Sequence, residues 1–454
     1  MRTVPAIVDW MAGSPRRAFL IVFLLSFAVR GALLTSGMTP RKYILPETAS
    51  EVGAVAQELA RTGQYADGYI IPTGPTAHPP PINTGLLGLM YRLLGITLTA
   101  GYVRCLVGIA SYSAMYGMVP WLAGKFGVGR QAGLLGGLAG ALIPDQGLAE
   151  VLGWTWSEPH AAIVLGLLLA AFLRRWTGGG SSARGSLLLG MGFGVAFHLA
   201  PALLPVMLGC MAFELWWRRD RRKWLGLSLM TIGAALACVP WAWRNYTTFH
   251  EVFFIRSNVG LELRMGNHDG ATADIEVMDA REGASMRHPV NNQEEARLVR
   301  ELGEMEYMRR ARREALEWIR THPAEFLRLT ASRVVHFWCG SLHRPVSVAW
   351  VSALTLLAIL GARRTLPRMT IPQRAALLIP LATYPLIYYV VVYMSRYRVP
   401  VNWILLIFAG AEVGHWIKRR RRRQCVDSQR PRSPLARSLA NHGGAPRGTL
   451  CRVD

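Results

Sequence analysis

The feature that most limits how this chain can fold is a series of apolar runs, each close to the ~20 residues that carry an α-helix across a bilayer. They fall at 18–36, 101–123, 131–150, 159–173, 224–243, 346–361, 374–393 and 397–417. A further stretch, 186–217, is too long for one crossing and has His198 and Pro201 in its middle. We read it as two short helices meeting at the far side, which gives about ten spans in all. Lipid offers no partner to backbone N–H and C=O groups, and a helix satisfies them within its own segment. Runs of this kind therefore predict an all-α polytopic membrane protein.

Composition agrees. Of 454 residues, 51% are hydrophobic and 17% charged, against roughly 25% charged in soluble domains, and mean hydropathy is +0.23. Facing lipid removes the need for the missing polar surface. The net charge of +23 would suit nucleic acid, but its distribution does not. Basic residues cluster between apolar runs, at Arg16 and Arg17, Arg174 and Arg175, Arg218 to Lys223, Arg363 and Arg364, and Lys418 to Arg423. That is the positive-inside pattern, and there is no basic fold with interleaved aromatics to bind nucleic acid. The last cluster also suits anionic lipid headgroups.

Cys105, Cys210, Cys238, Cys339, Cys425 and Cys451 form no CxxC pair and suggest neither a disulfide framework nor a zinc signature. Arg16 and Arg17 precede a long apolar stretch without a clean A-x-A site, so we expect an uncleaved first span. Alternating sides from a cytoplasmic N-terminus puts every basic cluster inside and leaves 37–100 and 244–345 outside. Both termini are then cytoplasmic, in the plasma (inner) membrane. Residues 1–423 form the membrane domain. The Ser-, Pro-, Arg- and Gly-rich tail 424–454 reads as disordered.

The two outer segments hold the soluble part. In the first, Val52, Val55, Ala56 and Leu59 recur at helical spacing within Glu51 to Thr62. A Gly- and Pro-rich passage, Gly68 to Pro81, leads to an amphipathic helix at Thr84 to Leu94, too short to span and suited to the interface. The second segment predicts one long charged helix, Asn292 to Arg320, and another from Pro323 to Trp338.

Several short motifs follow in order. An acidic residue opens the stretch Glu51 to Gly63, and a proline-rich turn runs from Pro72 to Pro81. Then come Trp156-Ser157-Glu158-Pro159, Trp243-Arg244-Asn245-Tyr246, the stretch Arg256 to Asn267, and Arg396-Tyr397-Arg398-Val399-Pro400. With these in order across residues 20–420, the chain resembles the GT-C integral-membrane glycosyltransferases, which include protein mannosyltransferases and lipid A aminoarabinose transferases. The resemblance implies a polyprenyl-phosphate sugar donor used at the outer face, inverting transfer, and a glycan, lipid or protein acceptor of the cell envelope. Many members carry Asp, often Asp-Glu, just after the first span; this chain has Glu47 and Glu51 there.

Inverting transfer needs a carboxylate to take the acceptor's proton and a cation to stabilise the departing phosphate. Glu51 and Glu47, four residues apart, are the candidate bases, although a Glu at a helix start also complements the dipole. Glu158 is either a second acid or part of a capping arrangement with Ser157 and Pro159. Arg396 and Arg398 lie on the outer side against the positive-inside bias, where they would hold a lipid-linked phosphate or snorkel. Arg256 and Arg264, in a Gly- and Asn-rich bend, are candidate phosphate or sugar contacts or plain loop residues. His78 is a candidate ligand contact or a turn residue. His250, His268, His288, His322, His336 and His343 fit no metal-ligand spacing, so no metal or other cofactor is assigned. Some GT-C enzymes use a divalent ion and others do not. The rival readings are a transporter or flippase of a lipid-linked precursor, which would show internal repeats, and a non-catalytic relative.

Overall fold

The computed structural model describes residues 4–36, 44–45, 50–142, 157–178, 182–282 and 287–429. Among these there is no strand, only isolated bridges at Ala66–Pro75 and Asp274–Tyr393. The chain is an all-α polytopic membrane protein.

The membrane part begins with α1 (Val4–Ala12) and α2 (Pro15–Thr35). After the outer helices α3 (Glu51–Thr62) and α4 (Pro81–Leu94) come α5 (Leu98–Lys125), α6 (Arg130–Leu142), α7 (Glu158–Thr177), α8 (Ala183–Leu199), α9 (Leu204–Trp217) and α10 (Arg222–Phe249). The outer subdomain adds α11 (Val259–Gly266), α12 (Ile275–Glu282), α13 (Gln293–Leu302), α14 (Glu304–Thr321) and α15 (Pro323–Cys339). The chain returns through α16 (Pro345–Thr365), α17 (Ile371–Thr383) and α18 (Val399–Gln429). By length and composition α2, α5, α7, α10 and α16, with its 3-10 extension to Arg368, can each cross a membrane; α8 and α9 are shorter apolar helices.

The break between α8 and α9 falls where His198 and Pro201 placed it, through a short 3-10 turn, Pro201–Leu203. Three expectations differ. The run 374–393 is not one helix: α17 ends at Thr383 and gives way to a 3-10 turn, Tyr384–Tyr389. Pro385 lacks the N–H that a continuing helix would need. The outer helix expected over Asn292 to Arg320 is two helices broken at Gly303, whose φ of 77° is left-handed. Helix α18 continues past 423 to Gln429. The end of the run 131–150, Pro46, Glu47, Trp156 and the tail from 430 lie outside the described residues.

One large apolar core joins the membrane helices, with α18 central to it through Trp403, Ile404, Ile407 and Phe408. Helix α16 crosses α18 so closely that a Cβ on Gly361 would stand 1.9 Å from the Phe408 carbonyl oxygen. Small residues permit such approach between helices in lipid. A separate outer core packs Tyr69 against Leu261, Met265, Met278, Tyr307 and Val392. Helix α4 leaves Leu86, Leu89, Leu93 and Leu94 exposed, as an interfacial helix would.

The spans give the molecule two chemically different ends. Arg16, Lys125, Arg174, Arg364 and Lys418 lie at one end of α2, α5, α7, α16 and α18. The outer subdomain lies at the other. Buried carboxylates near the basic end are paired: Glu214 accepts two hydrogen bonds of 2.7 and 2.6 Å from buried Arg175, and Glu412 is held at 2.7 Å by exposed Arg364.

Candidate active site

Helix α3 starts where the sequence placed it because Ser50 caps it: its side chain accepts from the Gly53 amide at 3.1 Å. Glu51 is the first helical residue and is only partly buried. Its Oε1 stands 3.8 Å from His78 Nε2. The proline-rich turn brings His78 there, fully buried, with its Nδ1 3.1 Å from the Tyr69 hydroxyl and its ring 5.4 Å from that of His288. Burial first, then Arg256 and His288, hold His78 well below the ordinary imidazole range. His78 is therefore neutral at pH 7, and Glu51 faces no full positive charge on it.

Two residues lock this turn: Arg256, expected as a phosphate or sugar contact, and Glu304, which the sequence had not singled out. Arg256 Nε donates to the His78 carbonyl. Glu304, the first residue of α14 and itself buried, accepts from the Ala77 amide at 2.7 Å and from the Ser257 hydroxyl at 2.6 Å. Burial raises the Glu304 pKa against those hydrogen bonds and the nearby Arg244. Arg244, from the Trp243-Arg244-Asn245-Tyr246 motif, reaches the Tyr65 carbonyl at 2.9 Å. No local signal marked Glu304, because its partners lie 227 and 47 residues away in sequence.

Glu51 opens onto a cavity of about 290 Å³ between the outer subdomain and the membrane part, shared with Glu262, Glu276, His288, Arg396 and Tyr397. Arg396 sits on the 3-10 turn Ser395–Arg398 just before α18. Its guanidinium lies over the Tyr397 ring at 5.4 Å and 3.6 Å from Glu158, the first residue of α7. At that distance the pair is ionic rather than a hydrogen bond. Ser157 does not cap α7; its hydroxyl donates to the Leu199 carbonyl.

The structure thus gathers Glu51, His78, Arg256, Arg396 and Glu158 around or beside one cavity. It does not bring Arg264 or Arg398 to the lining. Arg264 is buried in the outer core, bonded to Glu295 at 2.6 Å, to Tyr307 at 2.7 Å and to the Arg287 carbonyl, with Glu314 at 3.3 Å. Arg398 is buried behind the turn. Glu47 lies outside the described residues.

Asp274, Glu276 and His343 each bring one ligand atom within 4.8 Å of the others, although none of the histidine spacings suggested it. The oxygens concerned are already engaged: Asp274 Oδ2 accepts from Ser341 at 2.6 Å and Glu276 Oε2 pairs with Arg344 at 2.6 Å. An arginine on the same oxygen disfavours a cation there, so this set reads as a polar latch closing α12 onto the loop after α15.

No protein-family model matches the chain, and no curated protein matches it by sequence. Solved structures do. The archaeal oligosaccharyltransferase AglB from Archaeoglobus fulgidus, in complex with an inhibitory peptide and a dolichol-phosphate, superposes over 94% of this chain with a TM-score of 0.52 at 14% identity. The chain has a GT-C fold. It spans about half of that enzyme's length, 52%. The apo form of the same oligosaccharyltransferase matches 93% of this chain and 53% of its own, with a TM-score of 0.51 at 15% identity. ArnT from Cupriavidus metallidurans bound to undecaprenyl phosphate covers 88% of this chain and 78% of its own, at 14% identity and a TM-score of 0.38.

Proposed function

We propose that this chain is a glycosyltransferase that moves a sugar from a polyprenyl-phosphate donor to an acceptor at the outer face of the plasma membrane, with inversion. The observation that carries the reading is one cavity, at the outer end of a GT-C fold, lined by both the carboxylate of Glu51 and the guanidinium of Arg396. The superposed oligosaccharyltransferase was captured with a dolichol-phosphate, a lipid phosphate of the class proposed here.

In this reading the donor phosphate replaces Glu158 as the anion beside Arg396, while the lipid tail lies in the bilayer. Glu51 takes the proton from the acceptor hydroxyl as that oxygen attacks the anomeric carbon. The bond from that carbon to the phosphate oxygen breaks, and the phosphate leaves with the electron pair toward Arg396. Neutral His78 leaves the Glu51 charge uncompensated and so available as a base. Arg256 and Glu304 are positioning residues that hold the His78 turn, and Arg264 braces the outer core.

The test is mass spectrometry of envelope glycans and glycoproteins from a deletion strain, complemented with wild type, Glu51→Gln or Glu47→Gln. The missing mass gives sugar and acceptor together. Loss of a general base should slow transfer by about 10²–10⁴-fold, so Glu51→Gln should leave the product absent while the protein accumulates normally. A dead Glu47→Gln beside an active Glu51→Gln would move the base to Glu47. Full activity of both would remove this loop from the chemistry. Orientation is tested by labelling single cysteines placed at Asn291 and Ser433: only the first should react from outside, and the reverse pattern would invert the topology.

A further inference from the structure

A cavity separate from the candidate active site lies at the basic end, where the loop before α6 meets α1, the end of α16 and α18. Its volume is about 560 Å³, roughly twice that of the Glu51 cavity. Along α18 it spans Gly410 to Lys418, which at 1.5 Å per residue is about 17–29 Å from Val399 beside the Arg396 turn. That separation approaches the ~30 Å thickness of the hydrocarbon core. The two cavities are on opposite ends of the molecule and share no residue.

Charge marks this cavity out. Arg130, Arg368 and Lys418 line it, with His415, against a single carboxylate, Asp9. Asp9 is engaged by the Gln131 amide. Among the described residues none of the three cations has a carboxylate partner within 4.0 Å, whereas nearby Arg364 and Arg175 are paired with Glu412 and Glu214. Three unpaired cations that share a concave space repel one another unless an anion joins them. Small residues, Gly129, Ala132, Gly410 and Gly414 among them, make up part of the wall.

A second feature identifies the anion's source. Gly13 lines the charged cavity; two residues on, Pro15 begins the wall of a groove shared with Phe19, Leu20, Met118, Trp121 and Leu167, apolar apart from Arg16 at its edge. A polar cavity followed along the chain by an apolar groove suits a headgroup and its acyl chain. From Lys418 the chain continues as an unbroken basic run to Arg423, of the kind that gathers anionic lipids. We propose that this cavity binds the phosphate of an anionic phospholipid from the leaflet at this end, a lipid site separate from the donor cavity.

The chemistry recognised is a phosphate ester oxygen, which free phosphate also offers, so the test separates the two. The full chain is purified in zwitterionic detergent, and binding of phosphatidylglycerol, phosphatidylcholine and inorganic phosphate is measured by native mass spectrometry and lipid titration. Phosphatidylglycerol should bind at least about tenfold tighter than phosphatidylcholine, and millimolar inorganic phosphate should not displace it. The triple variant Arg130→Gln, Arg368→Gln, Lys418→Gln should lose that preference. Each charge near a membrane surface is worth ~1 kcal/mol, so the fall should be about a hundredfold. Removing the same charge outside the cavity, with Arg419→Gln, Arg420→Gln, Arg423→Gln, should change affinity less than about threefold. Should the cavity triple fail to fold, the exposed single variant Arg368→Gln should still lose about fivefold. Equal losses in both triples would overturn the proposal in favour of diffuse surface charge, and displacement by inorganic phosphate would overturn the lipid source. Because the readout is lipid binding and not sugar transfer, this result and the test of Glu51 are independent of each other.

Discussion

Glu304 offers a test of how the site is held together that does not depend on identifying a substrate. Its Oε1 accepts from the Ala77 amide at 2.7 Å and from the Ser257 hydroxyl at 2.6 Å, joining the His78 turn to the segment after α10. Glu304→Ala removes both bonds and strands a buried backbone donor. Hydrogen bonds to a charged group contribute about 1.5–3 kcal/mol each, and burying the orphaned N–H adds a penalty of similar size, so the cost should be roughly 3–6 kcal/mol. Glu304→Gln keeps an oxygen for the two donors and places its nitrogen where Oε2, which has no hydrogen-bond partner, now stands. The amide removes a charge that burial opposes. Burial raises the Glu304 pKa above 4.5, so the group's stabilising effect is complete below pH 4.5 and is lost as pH rises through the raised value. Glu304→Gln should therefore lie within about 1 kcal/mol of wild type at neutral pH, and its stability should lack that component of the pH dependence. The assay is reversible denaturant unfolding in detergent micelles, repeated from pH 4 to 8 (pH values on the order of the carboxyl and imidazole ranges). If Ala and Gln are equally destabilising, the two hydrogen bonds are not what holds the turn, and the argument fails.

Three further outcomes are expected. Arg396→Ala should weaken polyprenyl-phosphate binding by about ten- to a hundredfold, from the loss of a charge-assisted contact worth ~1.5–3 kcal/mol. Arg419→Ala, at the opposite end, should leave binding unchanged, and equal effects at both positions in a binding titration would reduce Arg396 to generic charge. Arg398→Ala, away from the lining, should lower unfolding stability without a selective loss of donor affinity. His78, held well below 6.5 in the folded chain, contributes stability that is present above pH ~6.5 and lost as pH falls through its depressed value. His78→Asn should flatten that part of a stability-versus-pH curve, and an unchanged curve would show that His78 is not held neutral.

Much of the fold was legible because lipid imposes a simple rule: an apolar run of the right length must become a helix. The break at Pro201 and the helices at Glu51 and Pro323 follow from residues adjacent in sequence. The failures have local causes of the opposite kind. Charge density over 292–320 masked the left-handed turn at Gly303, and hydropathy over 374–393 masked the proline that turns the chain at Tyr384. For the site, Glu51, His78 and Arg396 could be picked out because each stands beside a proline-rich or helix-opening signal. Glu304, Glu262 and Glu276 could not, since long-range folding alone brings them to the His78 turn and the cavity.

The arginines show where charge reasoning from sequence overreaches. An arginine on the outer side opposes the positive-inside bias, which suggests that an anionic ligand keeps it there. Five of those arginines are held by the protein's own backbone. Arg30 donates to the carbonyls of Gly140 and Ala141 at 3.2 and 3.0 Å, Arg104 to Leu45 at 3.3 Å, and Arg244 to Tyr65 at 2.9 Å. Arg256 holds His78 and Arg333 holds Gly266 in the same way. The guanidinium fork reaches carbonyls at helix ends and turns, where they lack intrahelical donors. Position relative to the membrane therefore says little about which arginine meets a ligand. What separates Arg396 from the others is that it lines the cavity that Glu51 also faces, with the Glu158 carboxylate 3.6 Å away. A cation facing a carboxylate across a shared cavity can exchange one anion for another; a cation locked onto backbone carbonyls cannot do so without unravelling the turn that it holds.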